Sequence, residues 1–264
     1  MSNLRTAFMG VPVDAITMEQ TIAQIHQSIE AGAHIQHMAI NSALILRMIE
    51  DSEMMDTLEQ CEIINADGIG IIWASRLLGN RLPERVTGID LMESLIELCA
   101  QHGYKPYFLG AQEEVVLKTV EHYRQKYPTL KIAGWRNGYF KDDEEQKIAE
   151  DIRDSGADML FVAITSPKKE LFLGHWRSTM NVRFCMGVGG SFDVISGKFK
   201  RAPIWVQKMG LEWAYRWKQE PRRMLRRNVV DMPKFVAMVL VSRAFGLVVP
   251  NGNLSKTGSQ TKKD

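Results

Sequence analysis

Short apolar runs that alternate with longer amphipathic ones predict an α/β protein, a mainly parallel sheet flanked by helices. Two further observations shape this class. Glycine-bearing turns recur where apolar runs give way to amphipathic ones, so strand-to-helix connections collect on one edge of the sheet. Near Gly197 the β pattern stops, and a Trp- and Arg-rich helical stretch begins that reads as a C-terminal appendage.

Strands are expected over residues 34–40, 62–65, 105–109, 131–135, 159–164 and 183–187, each a short apolar run. Between them, residues 17–30, 43–59, 90–102, 113–127, 143–154 and 168–179 space their apolar side chains three and four apart, as amphipathic helices do. The organisation that follows is a Rossmann-like α/β core over 1–197, a basic helical appendage over 198–250 and a polar, disordered tail over 251–264.

The formal net charge of +2 conceals a division: residues 1–197 hold 18 basic and 27 acidic side chains, whereas 198–234 hold 11 and 3. A hydrophobic content of 45% excludes a disordered or fibrous chain. Cys61, Cys99 and Cys185 are too scattered for a disulfide framework or a zinc site, which suits a reducing cytosol. The first ten residues lack the apolar run of a secretory signal. The longest apolar stretch, 235–249, contains Arg243 and falls short of the roughly 20 residues that cross a bilayer, so it lies in a membrane interface or docks on the core.

Four strand-end turns could carry chemistry. In Asn65-Ala66-Asp67-Gly68-Ile69-Gly70, Asp67 either projects into the crevice as a general base or caps the next helix, and spacing alone leans to the cap. Gly110-Ala111-Gln112 either contacts a nucleoside or simply connects, since Glu113 and Glu114 would oppose a phosphate there. Ser166-Pro167-Lys168-Lys169-Glu170 sets two lysines at the crevice rim, fit for a diphosphate or carboxylate, although Ser166 and Pro167 also make an ordinary helix start. Met186-Gly187-Val188-Gly189-Gly190-Ser191-Phe192-Asp193 is the strongest ligand loop, because three glycines in four residues suit a close backbone approach, with Ser191 and Asp193 able to bond a ligand or cap a helix.

No Asp-x-Asp tripeptide is present to hold a metal on a nucleotide diphosphate, and His34 and His37 fall on opposite faces of their strand, so no metal is expected. In the basic segment, Arg222 and Arg226, and Arg223 and Arg227, are four apart and form a stripe alongside Trp205, Trp213, Tyr215, Arg216 and Trp217. Such a surface fits nucleic acid, an anionic bilayer or a pyrophosphate.

These motifs taken together (NADGIG, RLPERVTGIDL from residue 81, SPKKE, GVGGSFDVISGKFKRAP and GLEWAYRWKQEPRR) resemble the WecG/TagA/CpsF family, glycosyltransferase family 26, from about Phe8 to Arg227. The resemblance implies a Rossmann-like core and a metal-independent, inverting hexosyltransferase without cofactor. It would move a sugar from a UDP-sugar to a saccharide on undecaprenyl diphosphate. It implies Asp67 as base, Asn41 at a polar strand end, Arg85 as a substrate contact, and Arg216, Arg223 and Arg226 as diphosphate ligands; Asn65, Gly110, Lys168, Lys169, Gly189, Gly190, Ser191 and Asp193 join these as substrate-binding candidates. The protein is then expected at the cytoplasmic face of the cell membrane, held peripherally by anionic lipid, with no nucleic-acid partner and with homo-oligomers reasonable by analogy. Ala39 stands where relatives often carry Thr, and Lys169 where they often carry Gln. That added charge makes glucose or a uronic acid a plausible donor beside N-acetylmannosamine, and exopolysaccharide synthesis the favoured role over a wall teichoic acid linkage. The rival classes are a nucleic-acid-binding module and a non-catalytic membrane scaffold.

Overall fold

The structure is a computed structural model that describes residues 5–245, 247–248 and 255–256. The chain begins with an antiparallel hairpin, β1 (Arg5–Phe8) and β2 (Val11–Asp14), followed by α1 (Met18–Glu30). Six strands then build one parallel sheet: β3 (Ile35–Ile40), β4 (Ile63–Ala66), β5 (Pro106–Gly110), β6 (Gly134–Arg136), β7 (Met159–Ala163) and β8 (Phe184–Gly187). Their spatial order is β4-β3-β8-β7-β5-β6, so every strand end opens on the same edge.

Helices cover both faces: α2 (Ser42–Glu50), α3 (Ser52–Glu59), α4 (Ile69–Leu77), α5 (Gly88–His102), α6 (Glu113–Lys126), α7 (Glu145–Asp154), α8 (Lys168–His175), α9 (Arg177–Met180) and α10 (Ser191–Ile195). Alternation along the strands divides the core. Phe108, Phe161, Phe184 and Met186 pack with α1, α5 and α6. Leu109, Leu160, Val162 and Cys185 point the other way, towards α7 and α8. The three cysteines are free and buried, and burial pushes their thiols up, away from reactivity.

Two departures from the sequence reading have local causes. The helix expected over 43–59 is interrupted at Asp51, whose extended backbone ends α2 while its carboxylate accepts from the amides of Glu53 and Met54 to cap α3. The unanticipated hairpin covers the free edge of β4. There Asp14 accepts from the Ile64 amide at 2.7 Å, and Arg5 joins Asp14 at 2.8 Å to the carbonyls of Cys61 and Glu62.

After residue 197 come α11 (Ile204–Lys208), α12 (Glu212–Gln219) and α13 (Pro221–Arg226), then a π turn over Arg227–Asp231 that runs into α14 (Met232–Phe245). This segment rests on the core. Phe235 and Val239 are buried beside α2 and the hairpin, with Phe8 and Phe235 ring centroids 6.4 Å apart. The apolar stretch from 235 therefore docks by one face, while Val236, Leu240 and Phe245 stay exposed. The tail over 251–264 lies outside the described residues apart from Ser255–Lys256, which pair with Leu247–Val248.

A buried polar group sits beneath α1. His37 is 1% exposed, with Nε2 2.9 Å from Asn65 Oδ1, and Thr21 reaches the same oxygen at 3.3 Å. Burial holds the His37 imidazole down at about 4, against the smaller opposing pull of Asn65 and Asp14. The unfolded chain thus takes up a proton near the ordinary histidine value of about 6.5, while the folded chain refuses it down to about 4. Stability contributed by His37 is full above that window and is lost as pH falls through it, by roughly 3 kcal/mol. Denaturant titrations should show the gap between wild type and His37→Gln narrowing from pH 7 to pH 4; a constant gap would refute this.

Candidate active site

Asp67 directly follows β4, and two bonds fix its position: its own amide donates to Ile40 O at 2.8 Å, and the Val86 amide donates to Ala66 O at 3.0 Å. The capping alternative does not hold, because Gly68 is the first residue of the α4 boundary and no side chain bonds that terminus. Instead the Asp67 carboxylate accepts from the Gly88 amide at the start of α5, within reach of the charges of Arg85, Arg227 and Glu212. Burial raises its pKa above that of an ordinary aspartate and outweighs the lowering by Arg85 and Arg227, with Glu212 adding a further rise. A carboxylate held this way is a stronger proton acceptor than one in water.

Asn41 stands beside it. Its side chain caps α2 by accepting from the Leu44 amide at 3.1 Å, and a Cβ on Gly68 would lie 3.5 Å from its own Cβ. Arg85 is half-buried and donates to Glu212 Oε2 at 3.1 Å. Asn65 is 1% exposed, and its carbonyl is occupied by His37 and Thr21, so it supports the end of β4 from below.

Two strands along the same sheet edge runs the loop after β8. Gly189 has a left-handed φ of +53° and open space around it. A Cβ on Gly190 would fall 2.0 Å from Nη2 of Arg216, so only glycine lets this guanidinium lie flat on the loop. Arg216 is steadied by Glu220, 3.0 Å from its Nε. The Ser191 hydroxyl donates to Val188 O at 2.7 Å and closes the turn, while Asp193 pairs with Lys198 at 3.3 Å. The loop, Arg216 and Asp67 thus gather at the sheet's carboxyl edge, where open α/β folds bind ligands.

Other candidates have different work. The Lys168 ammonium is taken up by Asp142 at 2.7 Å, Glu145 at 3.4 Å and the Phe140 ring, on the far side of α8. Lys169 lays its aliphatic stem over Gly187 and places its ammonium 2.8 Å from the buried Glu170 carboxylate. Gly110 is required by packing, because at φ +133° a Cβ would meet the Ala163 backbone at 2.4 Å. Arg226 is exposed on α13, and the side chain of Arg223 lies outside the described residues. The sequence reading did not single out Gly88, Arg201, Glu212 or Arg227 for the site. Arg227 was visible only as a member of the arginine stripe, and it opens the π turn, a distortion often found at functional positions. Among the described residues no three His, Cys, Asp or Glu side chains gather to hold a metal.

A half-buried carboxylate near two arginines, at the carboxyl edge of a parallel sheet that also carries a glycine loop, is an arrangement suited to group transfer. The model of the glycosyl transferase WecG/TagA/CpsF family matches residues 6–247, and the chain belongs to that family and is a glycosyltransferase. Similar characterised proteins include the N-acetylglucosaminyldiphosphoundecaprenol N-acetyl-beta-D-mannosaminyltransferase of Bacillus spizizenii (strain ATCC 23059 / NRRL B-14472 / W23), 38% identical over 69% of this chain and 70% of that protein. The protein of the same name from Bacillus subtilis (strain 168) is 35% identical over 76% of this chain and 77% of its own length.

The two glycines should separate under mutation. Gly190→Ala displaces a flexible guanidinium, so melting should hardly move while turnover falls about tenfold or more. Gly110→Ala forces a strained backbone and should cost about 3 kcal/mol or more of stability. Thermal melts and initial rates on both variants check this; a Gly190→Ala enzyme of normal rate would contradict the placement of Arg216.

Proposed function

We propose that this glycosyltransferase moves N-acetylmannosamine from its UDP-sugar to N-acetylglucosamine carried on undecaprenyl diphosphate, with inversion and without a metal. The observation that carries the reading is the half-buried Asp67 carboxylate, of raised pKa and near Arg85 and Arg227, at the same carboxyl edge of the sheet as the glycine loop on which Arg216 rests. The named activity of both Bacillus relatives supports the donor and acceptor. So does the fate of Lys169. Its charge is answered by Glu170 at 2.8 Å, an arrangement that asks for no negative charge on the donor sugar.

In this mechanism Asp67 accepts the proton of the acceptor hydroxyl as that oxygen bonds to the anomeric carbon. The bond from that carbon to the UDP oxygen breaks on the opposite face. Charge that grows on UDP is met by Arg216 and by loop amides over 187–190, in place of a bound cation. Asp67→Asn should keep the fold and lower UDP release by about 10²- to 10⁴-fold. Rates near wild type would remove Asp67 from the role of base, and a strict need for Mg²⁺ after EDTA treatment would end the metal-free scheme. A panel of UDP-glucose, UDP-glucuronate and UDP-N-acetylmannosamine decides the donor.

Peripheral attachment to the cytoplasmic face of the membrane is part of the same reading. No helix among the described residues is long and apolar enough to cross a membrane. Ile204 and Trp205 on α11 and Met209 just after it are exposed, and so are Leu225, Val229 and the cationic Arg222 and Arg226 further on. Apolar area and positive charge are the two modest signals that together anchor a protein to anionic lipid. Because Phe235 and Val239 belong to the core, removing the whole segment would damage the fold. The better probe is Ile204→Glu with Trp205→Glu, which should abolish flotation with phosphatidylglycerol vesicles and leave thermal melting unchanged; undiminished flotation would overturn the attachment surface.

A further inference from the structure

Four charged side chains tie the appendage to the core beside Asp67. Arg85 donates to Glu212 Oε2 at 3.1 Å, Arg201 Nε lies 3.8 Å from Glu212 Oε1, and Arg201 Nη2 lies 2.7 Å from Asp90 Oδ1. Asp90 is fixed in turn by the Thr87 hydroxyl, which donates at 2.5 Å from the cap of α5. Glu212 thus touches both the loop that carries Arg85 and the strand of chain that leads into α11. Glu212 and Arg201 also bracket α11, so their pairing closes that excursion at its base.

The spacing within α12 gives the contact its reach. Glu212 and Arg216 are four residues apart on one face of α12, and Arg216 is bonded to Glu220 just past its end. Whatever holds Glu212 therefore also sets where Arg216 rests on Gly190. The side chains are mostly covered, with 19% of Arg85, 26% of Glu212 and 29% of Arg201 exposed, so this is not a solvated surface pair.

We propose that Glu212 is a positioning residue: by bridging Arg85 and Arg201 it holds α12 against the core, which seats Arg216 on the glycine loop and keeps Arg85 beside Asp67. The pH arm of its test rests on the reading of Asp67 as the base. Asp67 is faced by Arg85 from the loop before α5, by the Gly88 amide from α5 itself, by Arg227 from the π turn and by Glu212 from α12. Of these, Glu212 is the negative charge that raises the Asp67 carboxyl, as burial also does.

Glu212→Gln keeps an acceptor for Arg85 but removes that charge, so the acid limb of its kcat/KM profile should move to lower pH while the fold is retained. An unmoved limb overturns the electrostatic part of the role, and a purely structural contact would not shift it. Glu212→Ala removes the bridge, and hydrogen exchange of the α12 amides should quicken about tenfold with kcat/KM down by up to about a hundredfold. Unchanged exchange in this variant overturns the latch. If Glu212→Ala does not fold, Arg201→Gln removes one arm alone and should still quicken α12 exchange without moving the limb; exchange as slow as wild type again overturns the latch. Asp67→Asn separates the two readings. Should it retain the wild-type acid limb, the base assignment has failed, and the exchange data on α12 decide the latch by themselves.

Discussion

A carboxylate partly withdrawn from water calls for compensation, and half-buried Asp67, whose pKa is raised by desolvation, places that demand on the groups around it. Opposite charges and amide donors near such a group favour its ionised form and offset the cost of desolvation. Here the compensation is gathered from separate parts of the chain: a helix-terminal amide at Gly88, a guanidinium three residues earlier at Arg85, and another at Arg227 that arrives only when the segment after residue 197 folds back over α2 and α4. The appendage is thus part of the electrostatic environment of the β4 end. Its π turn begins at the residue that faces Asp67.

The division of charge along the sequence follows from the same demand. An acidic core and a basic segment would attract each other without specificity, but the contacts made are particular ones. Arg201 goes to Asp90 and Glu212, Lys234 pairs with Glu50, and Arg216 is held by Glu220. Arg201 to Asp90 and Lys234 to Glu50 hold the segment to the core, whereas Arg216 to Glu220 and Arg201 to Glu212 are pairs within it. Arg222 and Arg226 remain exposed and face outward with the apolar side chains of α11 and α13.

The sheet was legible because strands buried on both faces have to be continuously apolar, and β5, β7 and β8 leave no other reading. The hairpin β1–β2 was not, since Pro12 breaks a four-residue run and the reason for the hairpin is an edge elsewhere in the chain. Asp67 and the glycine loop stood out from local composition. Glu212 and Arg227 did not, because their importance is coulombic and depends on proximity to a residue more than a hundred positions away. Gly110 shows the converse: a glycine at a strand end suggested a ligand, but the nearby backbone of Ala163 is enough to require it.

The lysines of the third turn carry the point furthest. By sequence Lys168 and Lys169 were equal candidates for an anion, yet one is drawn off by Asp142 and Glu145 and the other by Glu170, whose carboxylate is 1% exposed. A buried glutamate beside an ammonium cancels most of its field at the distance of a substrate, since the pair acts as a dipole rather than a charge. The guanidinium groups at this edge of the sheet are Arg85 and Arg227, which lower the Asp67 pKa, and Arg216 on the glycine loop, with Arg85 and Arg216 themselves paired to Glu212 and Glu220. Of these, Arg216 and Arg227 belong to the appendage and Arg85 is bonded to it through Glu212. The guanidinium groups at this edge of the sheet therefore depend on how the segment after residue 197 packs on the core: Arg85 is bonded to it, and Arg216 and Arg227 arrive with it.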